Sequence, residues 1–225
     1  MYVPRHFELP EEQVLLLLAS VETAEIVTAY PDGPVATLVP VLHRPGGRFG
    51  SLTFHLTRNN PQVRHRGLGD SLAILSGGDS YVAPEWLASF ADAPGVPTWN
   101  YVTVHAYGEL LVRDDPEWAR DAVTELSLRH GFDPSVVPDR VVDAQLRAIV
   151  GMELRITRVE AKAKLSQNKS PEDVSGIIEG LKEAGQVDLA TAMEELSMPH
   201  SLARQELLAD VRRGRGTGLT ASTAE

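Results

Sequence analysis

Between Trp99 and Tyr107 the chain alternates in side-chain character, within a stretch from about Thr98 to Val112 that reads as one long strand. Asn100, Val102, Val104 and Ala106 fall on one face, and Trp99, Tyr101, Thr103, His105 and Tyr107 on the other. Three aromatic rings and an imidazole on one strand face are unfavourable against water. Such a face meets a partner chain, a helix or a flat ligand.

Other segments repeat the pattern. Glu25–Tyr30, Val35–His43 and Arg48–Leu56 read as strands, punctuated by Asp32-Gly33 and Gly46-Gly47. In the third, Gly50, Leu52, Phe54 and Leu56 line a core, while Phe49, Ser51, Thr53 and His55 point outward. Ser71–Leu75 is a strand ending at a Gly77-Gly78-Asp79 turn, and Ile149–Val159 is another. Helices are expected from Glu11 to about Val21, briefly after Asn60-Pro61, over Pro84–Phe90, over Glu117–Arg129 behind an acidic cap, and over Asp139–Arg147. After Ser170-Pro171 three helical stretches follow, at about 172–184, 187–197 and 200–213. Many strands with few helices predict a mainly β (α+β) barrel with peripheral helices. The expected division is a barrel domain over 1–168, a C-terminal helical arm over 169–213 and a disordered tail over 214–225.

Composition excludes several functions. With no cysteine there is no disulfide, thiolate metal site or cysteine nucleophile. The longest apolar run, Val14–Ala19, is far short of a membrane helix, and the start lacks a basic-then-apolar leader. Together these predict a soluble cytoplasmic protein. The formal net charge of −10 disfavours direct DNA binding, which needs clustered cations. The one dense basic cluster is Arg212, Arg213 and Arg215. No Walker loop, Gly-x-Gly-x-x-Gly or His-Glu-x-x-His segment occurs.

Five spaced segments carry a family likeness: Met1-Tyr2-Val3-Pro4-Arg5-His6-Phe7; His55-Leu56-Thr57-Arg58-Asn59-Asn60-Pro61; Tyr81-Val82-Ala83-Pro84-Glu85-Trp86; Pro97-Thr98-Trp99-Asn100-Tyr101 with Val104-His105-Ala106-Tyr107-Gly108; and Lys164-Leu165-Ser166-Gln167-Asn168. In this order they resemble the FMN-binding negative transcriptional regulator (PaiB) family, up to about residue 184. The resemblance implies a flavin-reductase-like FMN-binding split β-barrel that forms a homodimer, with a cofactor groove at the dimer interface. The same segments are similar to piperazate synthases, which use heme b to close an N–N bond. There, the histidine matching His55 is the heme ligand. Asn100 stands where that branch has an aspartate, which sets this chain nearer to PaiB proper. The chain also departs from the PaiB pattern. Ala83 replaces a serine, Leu87 a tyrosine, Ala161 a glycine and Ala163 an aromatic residue, and a lysine expected within Ala88–Ala93 is absent. Leu87 and Ala163 are expected to enlarge the pocket and leave room for heme.

Each candidate residue has a functional and a structural reading. Arg58, with Thr57 and Asn59, binds an FMN phosphate or a heme propionate, or else pins the Asn60-Pro61 helix start or pairs with one of the many carboxylates. His55 is an axial iron ligand or a structural histidine. Lys164, Ser166 and Gln167 complete an anion site or fix the arm. Tyr81, Trp86 and Trp99 stack on a flat ring or pack. His105 is a second ligand, a proton donor or a dimer contact. The expected function is a redox or regulatory role on a small-molecule substrate with FMN, or alternatively heme b, as cofactor. The alternatives are a heme enzyme of the piperazate synthase type and a non-enzymatic regulator.

Overall fold

The computed structural model describes residues 1–92 and 94–217, with side chains described as far as Arg213. The elements are α1 (Glu11–Ser20), β1 (Thr23–Tyr30), β2 (Gly33–Pro40), β3 (Leu42–Arg44), β4 (Ser51–Thr57), α2 (Pro61–Arg64), β5 (Ser71–Val82), β6 (Thr98–Arg113), α3 (Pro116–Arg129), α4 (Asp139–Leu146), β7 (Ile149–Lys164), α5 (Pro171–Glu183), α6 (Val187–Ala192) and α7 (Met198–Thr217). Short 3-10 turns lie at Arg5–Phe7, Pro84–Trp86, Ala88–Ala91 and Pro134–Val136, and a π-helical turn at Met193–Ser197 joins α6 to α7. One seven-stranded sheet runs in the order β2-β1-β5-β6-β7-β4-β3. Its β1–β2, β1–β5, β3–β4 and β4–β7 pairs are antiparallel. This is the expected class, a mainly β split barrel with peripheral helices.

Several boundaries differ from expectation. The strand expected over Val35–His43 breaks at Val41, whose N–H turns back to the Glu22 carbonyl at 2.9 Å. The turn expected at Gly77-Gly78-Asp79 is absent. β5 passes through it to Val82, with Gly78 taking a φ of 98° that only glycine adopts without strain. Asp79 is therefore a strand residue. The helix expected over Pro84–Phe90 is instead two 3-10 turns, and β7 continues past Val159 to Lys164. α7 reaches Thr217, beyond the arm's expected end at 213. Of the expected tail, residues 218–225 lie outside the described residues.

The chain divides into two compact units. The first comprises Met1–Val3, Leu9–Gly77 and Thr103–Lys162, and the second comprises Pro4–Glu8, Gly78–Val102 and the chain from Ala163 onward. The expected boundary at 168 falls within the second unit. The first unit is centred on Leu18, Ile26, Leu52, Leu75, Met152 and Leu154, all closed to water. Burying one such side chain contributes about 1.5–3 kcal/mol, more than an exposed ion pair at about 0–1 kcal/mol. A buried polar chain supplements this core. Asn60 caps α2 by accepting from the Gln62 N–H at 2.8 Å, and its amide donates to Thr37 Oγ1 at 3.1 Å. Gln62, itself buried, donates to the Ile26 carbonyl and Thr28 Oγ1 and accepts from Thr37. The Asn-Pro step after Arg58 thus locks α2 onto β1 and β2.

The second unit packs Val82, Leu165, Ile177, Leu181 and Met193. Ser170 caps α5 by accepting from the Asp173 N–H at 3.2 Å, and Asp173 in turn accepts from the Ser89 N–H at 2.8 Å and the Ser89 hydroxyl at 3.1 Å. Gly176 and Gly180 sit one turn apart on α5. A Cβ at Gly180 would lie 2.3 Å from the Trp86 indole, and one at Gly176 2.1 Å from the Trp86 carbonyl. Gly180→Ala gains about 0.8–1 kcal/mol of helix propensity, but the overpacking against Trp86 costs about 1–3 kcal/mol. The expected outcome is a lower urea midpoint with a changed tryptophan emission, read by fluorescence-monitored unfolding.

Candidate functional site

In the second unit, the start of β6, the end of β5 and the turn after β7 converge. The alternation read along β6 holds, with Asn100 and Val102 buried while Trp99 is open and Tyr101 half-buried. Trp99 is 50% exposed and Tyr81 45% exposed. Their rings meet edge-on with centroids 6.2 Å apart, and the Trp99 indole N–H donates to Asp79 Oδ1 at 2.8 Å. Asp79 therefore fixes the plane of the indole. Lys164 Nζ donates to Thr98 Oγ1 at 2.7 Å and to the Trp99 carbonyl.

A cavity of about 260 Å³ opens here, with a polar wall of Thr98, Lys164, Ser166, Asn168 and Lys169. Leu87 and Ile177 are among its apolar lining residues. Of the two substitutions expected to widen a pocket, Leu87 lies on this cavity, while Ala163 is buried in the core. Ser166 has a φ of 61°, the left-handed region, and is the one non-glycine residue there among those described. Its hydroxyl donates to Asn100 Oδ1 at 3.0 Å, and the Asn100 amide donates to Met193 Sδ at 3.3 Å. Gln167 spends its side chain on the same turn, accepting from the Leu165 N–H at 2.8 Å and donating to the Ala163 carbonyl at 2.6 Å. Ser197 and Ser201 donate to the carbonyls of Leu165 and Lys169, each at 2.7 Å. Ser166 and Gln167 thus shape the turn, and the two lysines supply the charge. Lys169 is absent from the sequence-derived candidates; its five-residue spacing from Lys164 across the Ser-Gln-Asn turn was the available signal. Trp86 lies against α5 at Gly176 and Gly180.

The remaining candidates belong to the first unit. β4 departs from the expected in-and-out pattern, because Ser51 and Thr53 are buried along with Leu52 and Phe54. The outward face is covered until His55, which is half-buried, and Thr57 is exposed. His55 stands opposite Gly151 in the β4–β7 register. A Cβ at Gly151 would lie 2.3 Å from the Trp118 ring, so that indole covers the face on which His55 sits. Burial holds the His55 imidazole below its ordinary pKa, keeping it neutral at physiological pH. Arg58 donates to the Arg147 carbonyl at 2.8 Å and pairs with Asp114 at 2.9 Å, while Asn59 accepts from the Arg64 guanidinium. His105 is half-buried, and its ring centroid lies 6.4 Å from that of Tyr107. The Tyr107 hydroxyl donates to Glu160 at 3.2 Å beneath the Arg158 guanidinium. Burial lowers the His105 pKa first, the N-terminal ammonium lowers it further, and Glu160 opposes the shift. Among the described residues no hydrogen bond or ring contact joins His55 to His105. No cluster of three or more His, Asp or Glu side chains among them is arranged to hold a metal ion. Nor is any of their helices long and apolar enough to cross a membrane.

Both histidines have lowered pKa values, so the folded chain binds fewer protons than the unfolded chain between the two pKa values. Stability is retained above about pH 6.5 and declines as pH falls below it. In His55→Gln the acid-side slope should be shallower, measured as denaturation midpoint against pH from 7.5 to 5.

Against known proteins, the chain is 27% identical over 189 residues to protease synthase and sporulation protein PAI 2 of Bacillus subtilis, covering 81% of this chain and 89% of that protein. It is 29% identical over 177 residues to an uncharacterized protein of Aspergillus fumigatus, covering 60% of this chain and 67% of that one. Two solved structures share the fold at 15% identity. A conserved hypothetical protein from Mycobacterium tuberculosis has a TM-score of 0.53, covering 72% of this chain and 90% of its own. The flavocytochrome Anf3 from Azotobacter vinelandii has a TM-score of 0.51, covering 72% of each. The family described as "Putative FMN-binding domain" matches residues 1–158, more than half of the sequence, and the chain belongs to it.

Proposed function

We propose that the chain binds FMN in its second unit and acts as a redox protein on a small molecule. The observation that carries this reading is the pair of lysines, Lys164 and Lys169, on one small cavity of an otherwise acidic chain, in the same unit as two open aromatic rings. At about 260 Å³ the cavity is smaller than the ~300–1,000 Å³ of a pocket that encloses a whole ligand. It suits the phosphate end of FMN, where two ammonium groups and the Thr98 hydroxyl face the anion. Trp99, held in plane by Asp79, and Tyr81 offer the flat apolar surface that an isoalloxazine ring needs. When bound, FMN supplies the electron or hydride transfer, and the protein supplies orientation and electrostatics. Asn100 and Ser166 hold the turn that places the lysines. Two half-open aromatic rings on a single chain also support homodimer formation, with the second copy closing over the ring. A direct DNA-binding regulator is disfavoured by the net charge of −10.

A second reading has one observation in its favour. His55 is desolvated and neutral, as an axial heme ligand must be. The alternative is a heme enzyme of the piperazate synthase type.

The first measurement is the absorbance spectrum of the purified protein, followed by FMN titration read through quenching of tryptophan fluorescence. Saturable FMN binding is expected. Lys164→Met and Lys169→Met should each weaken it about ten-fold or more, as loss of a charged hydrogen bond implies, and Trp99→Ala should remove most of the quench. Unchanged affinity in both lysine variants would place the phosphate elsewhere. A Soret band with hemin, lost in His55→Ala, would favour the second reading.

A further inference from the structure

A second cavity, of about 660 Å³, lies within the first unit, framed by α1, β3, the Pro45–Gly50 turn and α3. Its volume falls inside the ~300–1,000 Å³ of small-molecule sites. None of the cofactor-site candidates lines it. Its apolar lining includes Leu15, Leu42, Phe49 and Leu128. Leu42 and Phe49 are core residues, whereas Leu128 is 56% exposed, a large apolar side chain left open on the wall.

The turn is built for close approach. Gly46 and Gly47 have nothing within 4 Å of where a Cβ would stand, so the backbone itself is the surface there. Gly50 has a φ of 72°, and a Cβ on it would lie 2.1 Å from the Arg44 carbonyl oxygen. Any other residue at 50 would push the turn open.

The charge on this cavity runs against that of the chain. Arg48 and Arg129 line it, together with His43, against one carboxylate, Glu125, whose partner Arg44 lies outside the lining. Arg44 pairs with Glu125, and Arg48 pairs with Glu11 at 2.6 Å while lying 4.9 Å over the Phe49 ring. Arg129 differs. Its guanidinium donates to the carbonyls of Ser20 at 2.9 Å and Ala19 at 3.4 Å, at the end of α1, and among the described residues no carboxylate pairs with it. Of the two arginines on the wall, Arg48 is thus neutralised by a carboxylate, and Arg129 meets only carbonyl dipoles. The lining therefore has an apolar body and one uncompensated cation at its edge.

The geometry points to a binding site for a small apolar monocarboxylate, separate from the FMN site. The ligand's carboxylate meets Arg129, and its hydrocarbon part covers Leu15, Phe49 and Leu128. A phosphate or dicarboxylate would find too few free cations, and a neutral ligand would leave Arg129 as it is. Octanoate is the probe, with 1-octanol as the uncharged comparator, titrated into the full isotope-labelled chain and followed by amide NMR shifts. Octanoate should saturably shift Gly46, Gly47 and Leu128, and octanol should bind about ten-fold more weakly or worse. Arg129→Gln should weaken octanoate by a similar factor while leaving octanol and FMN binding unchanged. Leu128→Ser should weaken both alcohol and acid. The proposal is overturned if octanoate shifts nothing at this turn, if octanol binds equally well, or if Arg129→Gln leaves the octanoate affinity intact.

Discussion

A buried amide must find partners or cost about 1–3 kcal/mol, and Asn100 meets that constraint in a way that organises the second unit. It is closed to water, accepts the Ser166 hydroxyl and donates to the Met193 sulfur. Those bonds join β6, the turn after β7 and the π-helical segment. Ser166 is drawn into a left-handed conformation disfavoured for a residue with a Cβ. Lys164 and Lys169 flank that residue, so their positions on the small cavity follow from how one asparagine is satisfied.

How much of this was legible in the sequence depends on what each segment's neighbours do. The β6 alternation was legible because both faces of that strand keep distinct environments from Trp99 to Gly108. β4 was misleading for the opposite reason. Ser51 and Thr53 look outward-facing, but the face they share is covered, and Trp118 can reach it because Gly151 has no side chain. The Gly77-Gly78 pair reads as a turn by local chemistry, and only the surrounding sheet makes it a strand with one glycine at positive φ. The significance of Lys169 is spatial: five residues from Lys164, it shares a cavity only once the turn is closed. Trp86 reads in the sequence as a residue that stacks or packs, and its place against two glycines of α5 needs the helix to be docked.

The electrostatics follow a similar division. Among the described residues several arginines of this acidic chain are tied to carboxylates, as in Arg113–Glu153 and Arg120–Asp143. Such exposed or half-exposed pairs set local conformation more than they hold the fold together. Two of the cavities carry basic side chains, Lys164 and Lys169 in the second unit and Arg48 and Arg129 in the first. Both are small relative to the whole surface, so a net negative charge leaves room for local basic patches.

The π-helical turn at Met193–Ser197 carries a consequence of its own. A π turn holds one residue more than the α-helix around it, and each residue turns a helix by about 100°. That surplus sets the phase in which Ser197 and Ser201 reach the carbonyls of Leu165 and Lys169. A chain lacking one residue there would form a more regular helix, yet present a different stripe to the lysine-bearing turn. Here the length of the sequence, and not only its chemistry, is under constraint, so relatives that tolerate many substitutions in this helix should tolerate few insertions or deletions.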